Sequence, residues 1–185
     1  MSINKIKIKN AFVAVFDKKV LADLIPVLKH FGVKCVGTAG TVKYLKSKGL
    51  TAKSVVSGFD FDARIKSLDK LTFIKILNDR AKKRHQQEMR RLGLKPIDAV
   101  IVDLYKPDKK NFPESMDIGG QALIRAAVKN YQSVVVAFDK KSIGDLAWEM
   151  KENKRETSLV FRKKQATNAL KFIAQRTKLE SSINF

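Results

Sequence analysis

The chain reads AFVAVFDKKVLADLIPVLKHFGVKCVGTAGT from Ala11 to Thr41, and the pattern of this stretch indicates the fold class. It begins with six apolar residues, Ala11 to Phe16, a run of strand length that ends in a charged turn. From Val20 to Phe31 the apolar residues recur at helical spacing, and Gly32 has the place of a helix C-terminal glycine. Val33 to Gly37 follows as a second short strand. The stretch therefore predicts a strand–helix–strand unit that ends in a glycine-rich turn.

The same alternation continues towards the C-terminus. Ile97 to Leu104 and Ser133 to Phe138 are valine-rich runs, typical of strands that are buried on both faces in a parallel sheet. Gly119-Gly120 opens a helix between them, from Gln121 to Asn130, and the residues from Ser142 to Phe185 predict helices. This order predicts an α/β fold: a mainly parallel sheet flanked by helices, with a helical C-terminus.

Length and composition limit the class of protein further. A chain of 185 residues, 44% of them apolar, can bury one core, and we expect a single domain over residues 1–185. The longest apolar run is far shorter than the roughly 20 residues of a membrane-spanning helix, so we expect no membrane partner. The lone cysteine, Cys35, favours a reducing cytoplasm over a disulfide framework. Because His30 and His85 do not suggest a metal pair, we expect no metal.

The charge balance is unusual and is a separate clue. The 38 Lys and Arg residues against 18 Asp and Glu residues give a net charge of +20, which attracts polyanions. The run from Arg80 to Arg91 concentrates this charge, since six of its twelve residues are Lys or Arg. Two interpretations stay open for it: a solvated helix face, or a contact with nucleic acid or another polyanion.

Two glycine-containing turns are candidates for anion binding. Gly37-Thr38-Ala39-Gly40-Thr41 lies between a strand and a helix predicted from Val42 to Lys48. Glycines let the backbone approach an anion, and the free N–H groups of a helix's first turn favour negative charge. Met116 to Gly120 is a second such turn. If both follow neighbouring parallel strands they face one crevice, where open α/β sheets hold ligands; each alone is equally compatible with a tight turn.

Four further residues are ambiguous when taken singly. Arg64 and Lys66 alternate along an extended segment and can reach a phosphate or a developing oxyanion, or simply face solvent. Tyr105 directly follows the strand that ends at Leu104, at the edge where ligands bind. Lys129 ends a mostly apolar helix, where it also complements the negative end of the helix dipole.

Five segments follow one another in an order that resembles a known family. They are Val15–Lys18, Gly37–Thr41, Asp62–Asp69, Asp103–Tyr105 and Asp117–Asn130. The last is the most specific, since it begins Asp-Ile-Gly-Gly and ends Arg-Ala-Ala-Val-Lys-Asn. Together they resemble the IMP cyclohydrolase domain of the bifunctional AICAR transformylase/IMP cyclohydrolase family, over nearly the whole chain. The resemblance implies a methylglyoxal synthase-like fold and a homodimer.

The resemblance also implies an activity and a set of residues for it. The family closes 5-formamido-AICAR ribotide to IMP in de novo purine biosynthesis, a phosphorylated purine precursor being the substrate and no cofactor being needed. The implied catalytic residues are Lys66, Tyr105, Asp117 and Lys129. The residues implied to bind the substrate and its phosphate are Lys18, Thr38, Gly40, Thr41, Arg64, Ser67, Ile118 and Gly119.

The chain also departs from the family pattern near these positions. The departures are Phe16 for a small hydroxyl residue, Gly37 and Ala39 in the turn, Ala63 for glycine, Asp69 for histidine and Asp103 for asparagine. They keep two alternatives open beside the enzyme: a catalytically degenerate domain that binds RNA, a ribosome or another polyanion through its basic surface, and an activity on another small phosphate ester.

Overall fold

The computed structural model describes residues 4–55 and 68–183. These residues form seven strands and seven α-helices, together with two short 3-10 turns. In chain order the strands and helices are β1 (Lys5–Lys7), β2 (Asn10–Val15), α1 (Leu24–His30), β3 (Lys34–Gly37), α2 (Ala39–Ser47), β4 (Ala52–Ser54), α3 (Lys70–Leu77), α4 (Lys83–Arg91), β5 (Ala99–Asp103), α5 (Ile118–Lys129), β6 (Val135–Ala137), α6 (Lys140–Glu152), β7 (Glu156–Ser158) and α7 (Leu159–Ser181).

A five-stranded parallel sheet is the centre of the fold. Its strand order is β4-β3-β2-β5-β6, and every neighbouring pair is parallel. The register pairs Val13 of β2 with Gly37 of β3, and Val15 of β2 with Asp103 of β5. The expected α/β fold with a mainly parallel sheet is therefore confirmed.

Both faces of this sheet are buried, as the apolar runs predict. Alternate residues of β2 enter different cores: Ala11 and Val13 pack in a cluster with α1, α2 and α6, whereas Phe12 packs in a cluster with α3, α5 and α7. β5 divides in the same way, with Ile101 on the first side and Val100 on the second. A strand with helices on both faces has no solvated side, which is why its sequence is continuously apolar.

The helix expected from Val20 to Phe31 is divided in two. A 3-10 turn covers Lys18–Leu21, and α1 begins only at Leu24. Pro26 explains the break, because a proline has no N–H to donate and its ring clashes with the carbonyl four residues earlier. In the first turn of α1 neither defect matters. Gly32 then ends the helix at a φ of +61°, which confirms its expected role.

The C-terminal part of the chain is less purely helical than expected. β7 interrupts it between α6 and α7, and pairs antiparallel with β1. Ile6, which pairs with Thr157, is buried. The two-stranded ribbon of β1 and β7 therefore closes one end of the core that contains α1, α2 and α6. α7 follows with 23 residues, and none of the helices described is both long and apolar enough to cross a bilayer.

Candidate functional site

Three adjacent parallel strands end at the same edge of the sheet. β3 ends at Gly37, β2 at Val15 and β5 at Asp103. Helix α2 follows β3, and helix α5 is the next helix after β5. Both glycine-containing turns of the sequence therefore lie at one carboxyl edge, separated by the β2 strand. This is the place where open α/β sheets bind ligands.

Gly37 is required by the approach of β3 to β2. A Cβ atom at this position would lie 1.8 Å from the carbonyl oxygen of Val13 and 3.0 Å from its carbonyl carbon. Any side chain would push the two central strands apart. The first glycine of the turn thus serves the sheet, independently of any ligand.

The first turn of α2 leaves backbone donors free. Its first hydrogen bond runs from the N–H of Val42 to the carbonyl oxygen of Thr38 at 2.9 Å, and the Thr38 side chain makes no capping bond. The N–H groups of residues 39–41 therefore have no acceptor among the residues that the structure describes. A Cβ atom at Gly40 would meet nothing within 4 Å, so the space above this turn is open. Donors and space together suit a phosphate.

Thr41, in contrast, uses its hydroxyl to hold the fold together. Its Oγ1 accepts from the N–H of Val15 and donates to the carbonyl oxygen of Val15, both at 3.3 Å. The Thr38 hydroxyl donates to Thr41 Oγ1 at 3.3 Å. The Thr41 side chain is fully buried and fastens α2 to the end of β2. In this arrangement its free backbone N–H, rather than its hydroxyl, faces the ligand side of the turn.

Lys18 supplies positive charge at the end of β2. Its Nζ donates to the carbonyl oxygen of Val15 and, at 3.1 Å, to that of Phe16. Burial lowers the pKa of this ammonium group, and the nearby carboxylates of Asp103 and Asp17 partly offset that effect. The lysine is therefore held against the strand end by two carbonyl groups.

Asp103 connects β5 to the turn after β2. Its Oδ2 accepts from the N–H of Asp17 at 2.9 Å, and its carbonyl oxygen accepts from the N–H of Phe16 at 3.2 Å. Burial raises the pKa of the Asp103 carboxyl, while the bond from Asp17 opposes the rise. The departure from the family at this position thus has a structural role in the turn that carries Lys18.

Tyr105 and Asp117 stand together at the β5 side of the edge. The Tyr105 hydroxyl donates to the carbonyl oxygen of Met116 at 3.1 Å. Burial raises the pKa of the Tyr105 phenol, and the negative charge of Asp117 adds to the rise. Asp117 is the N-cap of α5, where its Oδ1 accepts from the N–H of Gly120 at 2.7 Å. A neutral hydroxyl and a carboxylate are thus neighbours at the helix N-terminus.

A buried ion pair on α7 supports this region, and the sequence reasoning missed it. Arg176 donates to the carbonyl oxygen of Tyr105 and, through Nε, to Glu180 Oε1 at 3.1 Å. Gln121 of α5 donates to both carboxylate oxygens of Glu180, at 2.9 and 3.1 Å. The network therefore ties α7 to the Tyr105 backbone and to α5. The signal in the sequence is an Arg–Glu pair four residues apart, which is indistinguishable from an ordinary surface pair.

Two apolar side chains form an exposed rim beside these polar groups. Phe16 is 69% exposed and Ile118 is 59% exposed. The Phe16 ring lies 6.0 Å from the Tyr105 ring, centroid to centroid, at an angle of 55°. An exposed aromatic ring therefore lies beside the Tyr105 ring.

The structure does not bring all candidate residues together. Lys129 is the last residue of α5 and Asp117 is its N-cap, so twelve residues, or about 18 Å of helix, separate them. Because a lysine side chain spans about 6 Å, one copy of the chain does not place both groups at one site. Arg64, Lys66 and Ser67 lie outside the described residues, as does Ala63.

Asp69 has a clear structural function. It is the N-cap of α3, where Oδ2 accepts from the N–H of Thr72 at 2.7 Å and from its hydroxyl at 2.9 Å. Aspartate is among the best residues for this position, whereas histidine is not favoured there. The departure from the family pattern at Asp69 therefore has a physical reason in the helix that follows.

Two other expectations concern residues away from the edge. Cys35 is a buried free thiol, and among the described residues no group of three or more His, Cys, Asp and Glu side chains converges on a metal position. α4 carries most of the Arg80–Arg91 run and buries only Met89 of its own residues. Its cations are therefore solvated, and contact with nucleic acid stays a prediction.

Comparison with known proteins identifies the family. The model of the MGS-like domain matches residues 21–137. The chain is 38% identical over 171 residues to the bifunctional purine biosynthesis protein PurH of Clostridium botulinum (strain Loch Maree / Type A3), which covers 86% of this chain and 34% of that protein. The PurH of Clostridium kluyveri is 36% identical over the same length, with the same coverage. The chain thus spans about a third of the length of these curated relatives.

A solved structure agrees with this result. The structure described as "Crystal structure of ForH" superposes with a TM-score of 0.81 and covers 95% of this chain and 97% of that one, at 23% identity. At that identity it shows the fold alone. The resemblance inferred from the five motifs is confirmed at the level of the family. Because the family model covers more than half of its length, the chain belongs to the MGS-like domain family.

Proposed function

We propose that this chain is an IMP cyclohydrolase, which closes 5-formamido-AICAR ribotide to IMP in purine biosynthesis. The observation that carries the proposal is that Tyr105, Asp117 and the free first-turn N–H groups of α2 all lie at the carboxyl edge of the sheet, on either side of β2. The PurH relatives support a purine-biosynthesis-related domain. Our proposal is that the chain catalyses the ring closure by itself.

The reaction needs positioning more than it needs a strong reagent. The carboxamide nitrogen attacks the formyl carbon, a C–N bond forms, and the formyl oxygen leaves as water with two protons taken from the two nitrogens. Both partners belong to one molecule, so the protein has to fix their rotamers and stabilise the oxyanion that develops.

The described residues divide into two groups for this task. The N–H groups of residues 39–41 and the ammonium of Lys18 hold the phosphate of the ribotide. At the β5 side, the Tyr105 hydroxyl exchanges the carbonyl oxygen of Met116 for the formyl oxygen of the substrate and donates to it, and its raised pKa keeps it protonated. Asp117 accepts from the carboxamide and orients it for attack. Lys66 as oxyanion stabiliser, and Arg64 and Ser67 at the phosphate, complete the proposal.

Lys129 requires a second copy of the chain if it acts on the substrate. About 18 Å of helix separates it from Asp117, and a homodimer in which it enters the partner's site removes this difficulty. Mixing inactive Asp117→Asn chains with inactive Lys129→Ala chains tests the arrangement. A mixed dimer then contains one intact site, and activity returns to about a quarter of the wild-type value. No return of activity excludes a shared site.

The alternative of a degenerate, polyanion-binding domain has less support. The relatives that match most of this chain are purine biosynthesis proteins. Asp69 and Asp103, two of the departures, are explained by a helix cap and a turn contact, so they do not require loss of the activity.

The test is turnover of purified chain with the formylated ribotide, followed by the ultraviolet change of IMP formation. Tyr105→Phe and Asp117→Asn should each lower kcat by about 100-fold or more, the usual contribution of a positioned proton donor or acceptor. Tyr131→Phe and Asp79→Asn, on other parts of the surface, are matched controls and should retain wild-type rates. A wild-type rate equal to that of the uncatalysed reaction would refute the proposal.

A further inference from the structure

A second concave site lies at the opposite edge of the sheet, where β2 and β5 begin. It is a cavity of about 460 Å³, within the range that holds small ligands. β2 separates it from the candidate functional site by its whole length of six residues, about 20 Å. Nothing in the proposed ring closure uses this cavity.

Cations dominate the lining of the cavity. Five come from three separate parts of the chain and converge on one opening: Lys5, Lys7, Lys9, Arg80 and Lys95. Among the residues that the structure describes, Asp98 is the one carboxylate that lines the cavity. The lining therefore carries an excess of four positive charges.

The one carboxylate is already fully engaged. Asp98 is 3% exposed, and its Oδ2 accepts from the N–H groups of Lys9 and Asn10 at 2.8 and 2.7 Å. Its Oδ1 forms an ion pair with Arg80. Asp98 thus serves the strand ends and one guanidinium, and forms no ion pair with the lysines of the lining.

The lysines find little compensation elsewhere. Lys5 lies 3.7 Å from Glu156, an exposed pair of the kind that contributes little. Lys7, Lys9 and Lys95 have no ion pair within residues 4–55 and 68–183. Like charges that face one opening repel one another, so a bound anion reduces the electrostatic repulsion among the lysine side chains of the cavity.

Arg80 has donor capacity that the protein does not use. Its NH2 group donates to Asp98 and, at 3.3 Å, to the carbonyl oxygen of Ile97, while its Nε, which is buried behind the cavity wall, has no partner among the described residues. Its positive charge also extends inwards. Burial, and after it the charge of Arg80, lowers the pKa of the buried Arg162 to about 10.

We propose that this cavity binds a small anion with two or more linked phosphate groups, of which a nucleoside triphosphate or inorganic tripolyphosphate is the type. The excess of four charges matches the charge of a triphosphate, and five donors around one concave opening match its clustered oxygens better than the regularly spaced phosphates of a nucleic acid strand. The site is independent of the proposed enzyme activity.

Calorimetric titration of the full chain with tripolyphosphate, at about 50 mM salt where screening is weak, tests the proposal. Lys7→Ala/Lys95→Ala removes two exposed cations of the lining and should weaken binding by at least about tenfold. Lys46→Ala/Lys171→Ala removes two exposed lysines from α2 and α7 and keeps the same net charge as the first variant. This control should stay within about twofold of the wild type, because distant exposed charges are screened.

Further titrations separate the sources of the phosphate. ATP that binds more tightly than tripolyphosphate assigns the site to nucleoside triphosphates, and tripolyphosphate that binds more tightly than ATP assigns it to inorganic chains. The proposal is overturned if tripolyphosphate does not bind, or if Lys7→Ala/Lys95→Ala weakens its binding no more than Lys46→Ala/Lys171→Ala does. It is also overturned if a short RNA binds instead and Arg84→Ala/Arg91→Ala on α4 abolishes that binding.

Discussion

Replacing Gly37 by alanine should destabilise the protein strongly, although it adds a single methyl group. The new Cβ atom would lie 1.8 Å from the carbonyl oxygen of Val13, so reaching even 3.0 Å requires a movement of about 1.2 Å. The obstacle is backbone of a central strand, which cannot rotate away as a side chain can. Overpacking of this kind costs about 1 to 3 kcal/mol, and the rigid neighbour places Gly37→Ala at the upper end, about 3 kcal/mol.

The same turn offers a matched control. Gly40→Ala adds the same methyl group three residues later, where nothing lies within 4 Å, and alanine is a better helix former than glycine. We expect its free energy of unfolding to stay within about 0.5 kcal/mol of the wild-type value or to rise. Urea unfolding followed by circular dichroism measures both variants, and Gly37→Ala should also lower Tm by about 6 to 12 °C.

The comparison between the two variants can refute the reasoning. If Gly37→Ala unfolds within about 0.5 kcal/mol of the wild type, then β2 and β3 do not approach as closely as the 1.8 Å distance between a Gly37 Cβ atom and the Val13 carbonyl oxygen implies. Equal losses in both variants would mean that the turn, and not the strand contact, limits stability.

Three further predictions concern other parts of the fold. Asp69→Ala removes the N-cap of α3 and should lower the free energy of unfolding by about 1 kcal/mol in urea, whereas Asp69→Asn should not. Burial raises the pKa of Cys35 to about 12, so the native thiol should resist alkylation at pH 8 and react fully in denaturant. Because the thiol ionises at lower pH in the unfolded chain than in the native protein, the contribution of Cys35 to the free energy of unfolding is complete below about pH 9 and falls as the pH rises towards 12. Arg176→Met leaves Glu180 buried without its cation and should cost about 3 kcal/mol in thermal or urea unfolding, while the double change Arg176→Met/Glu180→Leu should recover most of it; a double variant no better than the single one would contradict this account.

The sequence was most informative where one local pattern decides the structure. The apolar runs that contain β2, β5 and β6 predict strands buried on both faces, and the described sheet has them there. Gly32 and Gly49 end helices at φ values of +61° and +80°, as glycines beyond the last helical residue do. Such elements need little information from distant parts of the chain.

Elements that depend on distant partners were missed. β1 and β7 are three residues each and are separated by about 150 positions, so neither has a periodic pattern long enough to identify it. β4 is equally short, and its pairing with β3 determines it. The ion pair of Arg176 and Glu180 has the spacing of a surface pair, and its burial follows from how α7 packs on α5.

For the candidate site, the sequence predicted that the turns lie at the carboxyl edge of the sheet, but not which contacts each residue makes there. Both turns lie at the carboxyl edge as expected, because a parallel sheet brings all its strand ends to one side. Spacing alone could not show that the Thr41 hydroxyl is used by β2, or that Lys129 lies at the far end of α5. The first is a long-range hydrogen bond, and the second is a consequence of helix length.

Two carboxylates, one beside each end of β5, hold the backbone of β2, and one of them, Asp103, is a departure from the family pattern. Asp98 accepts backbone N–H groups at the start of β2, and Asp103 accepts one just after the end of β2. A single strand thus fixes the register of its neighbour at both ends, which determines where Lys18 stands at one edge and where Lys9 stands at the other. The departure at Asp103 is therefore explained by the turn after β2, which carries Lys18 of the proposed phosphate site.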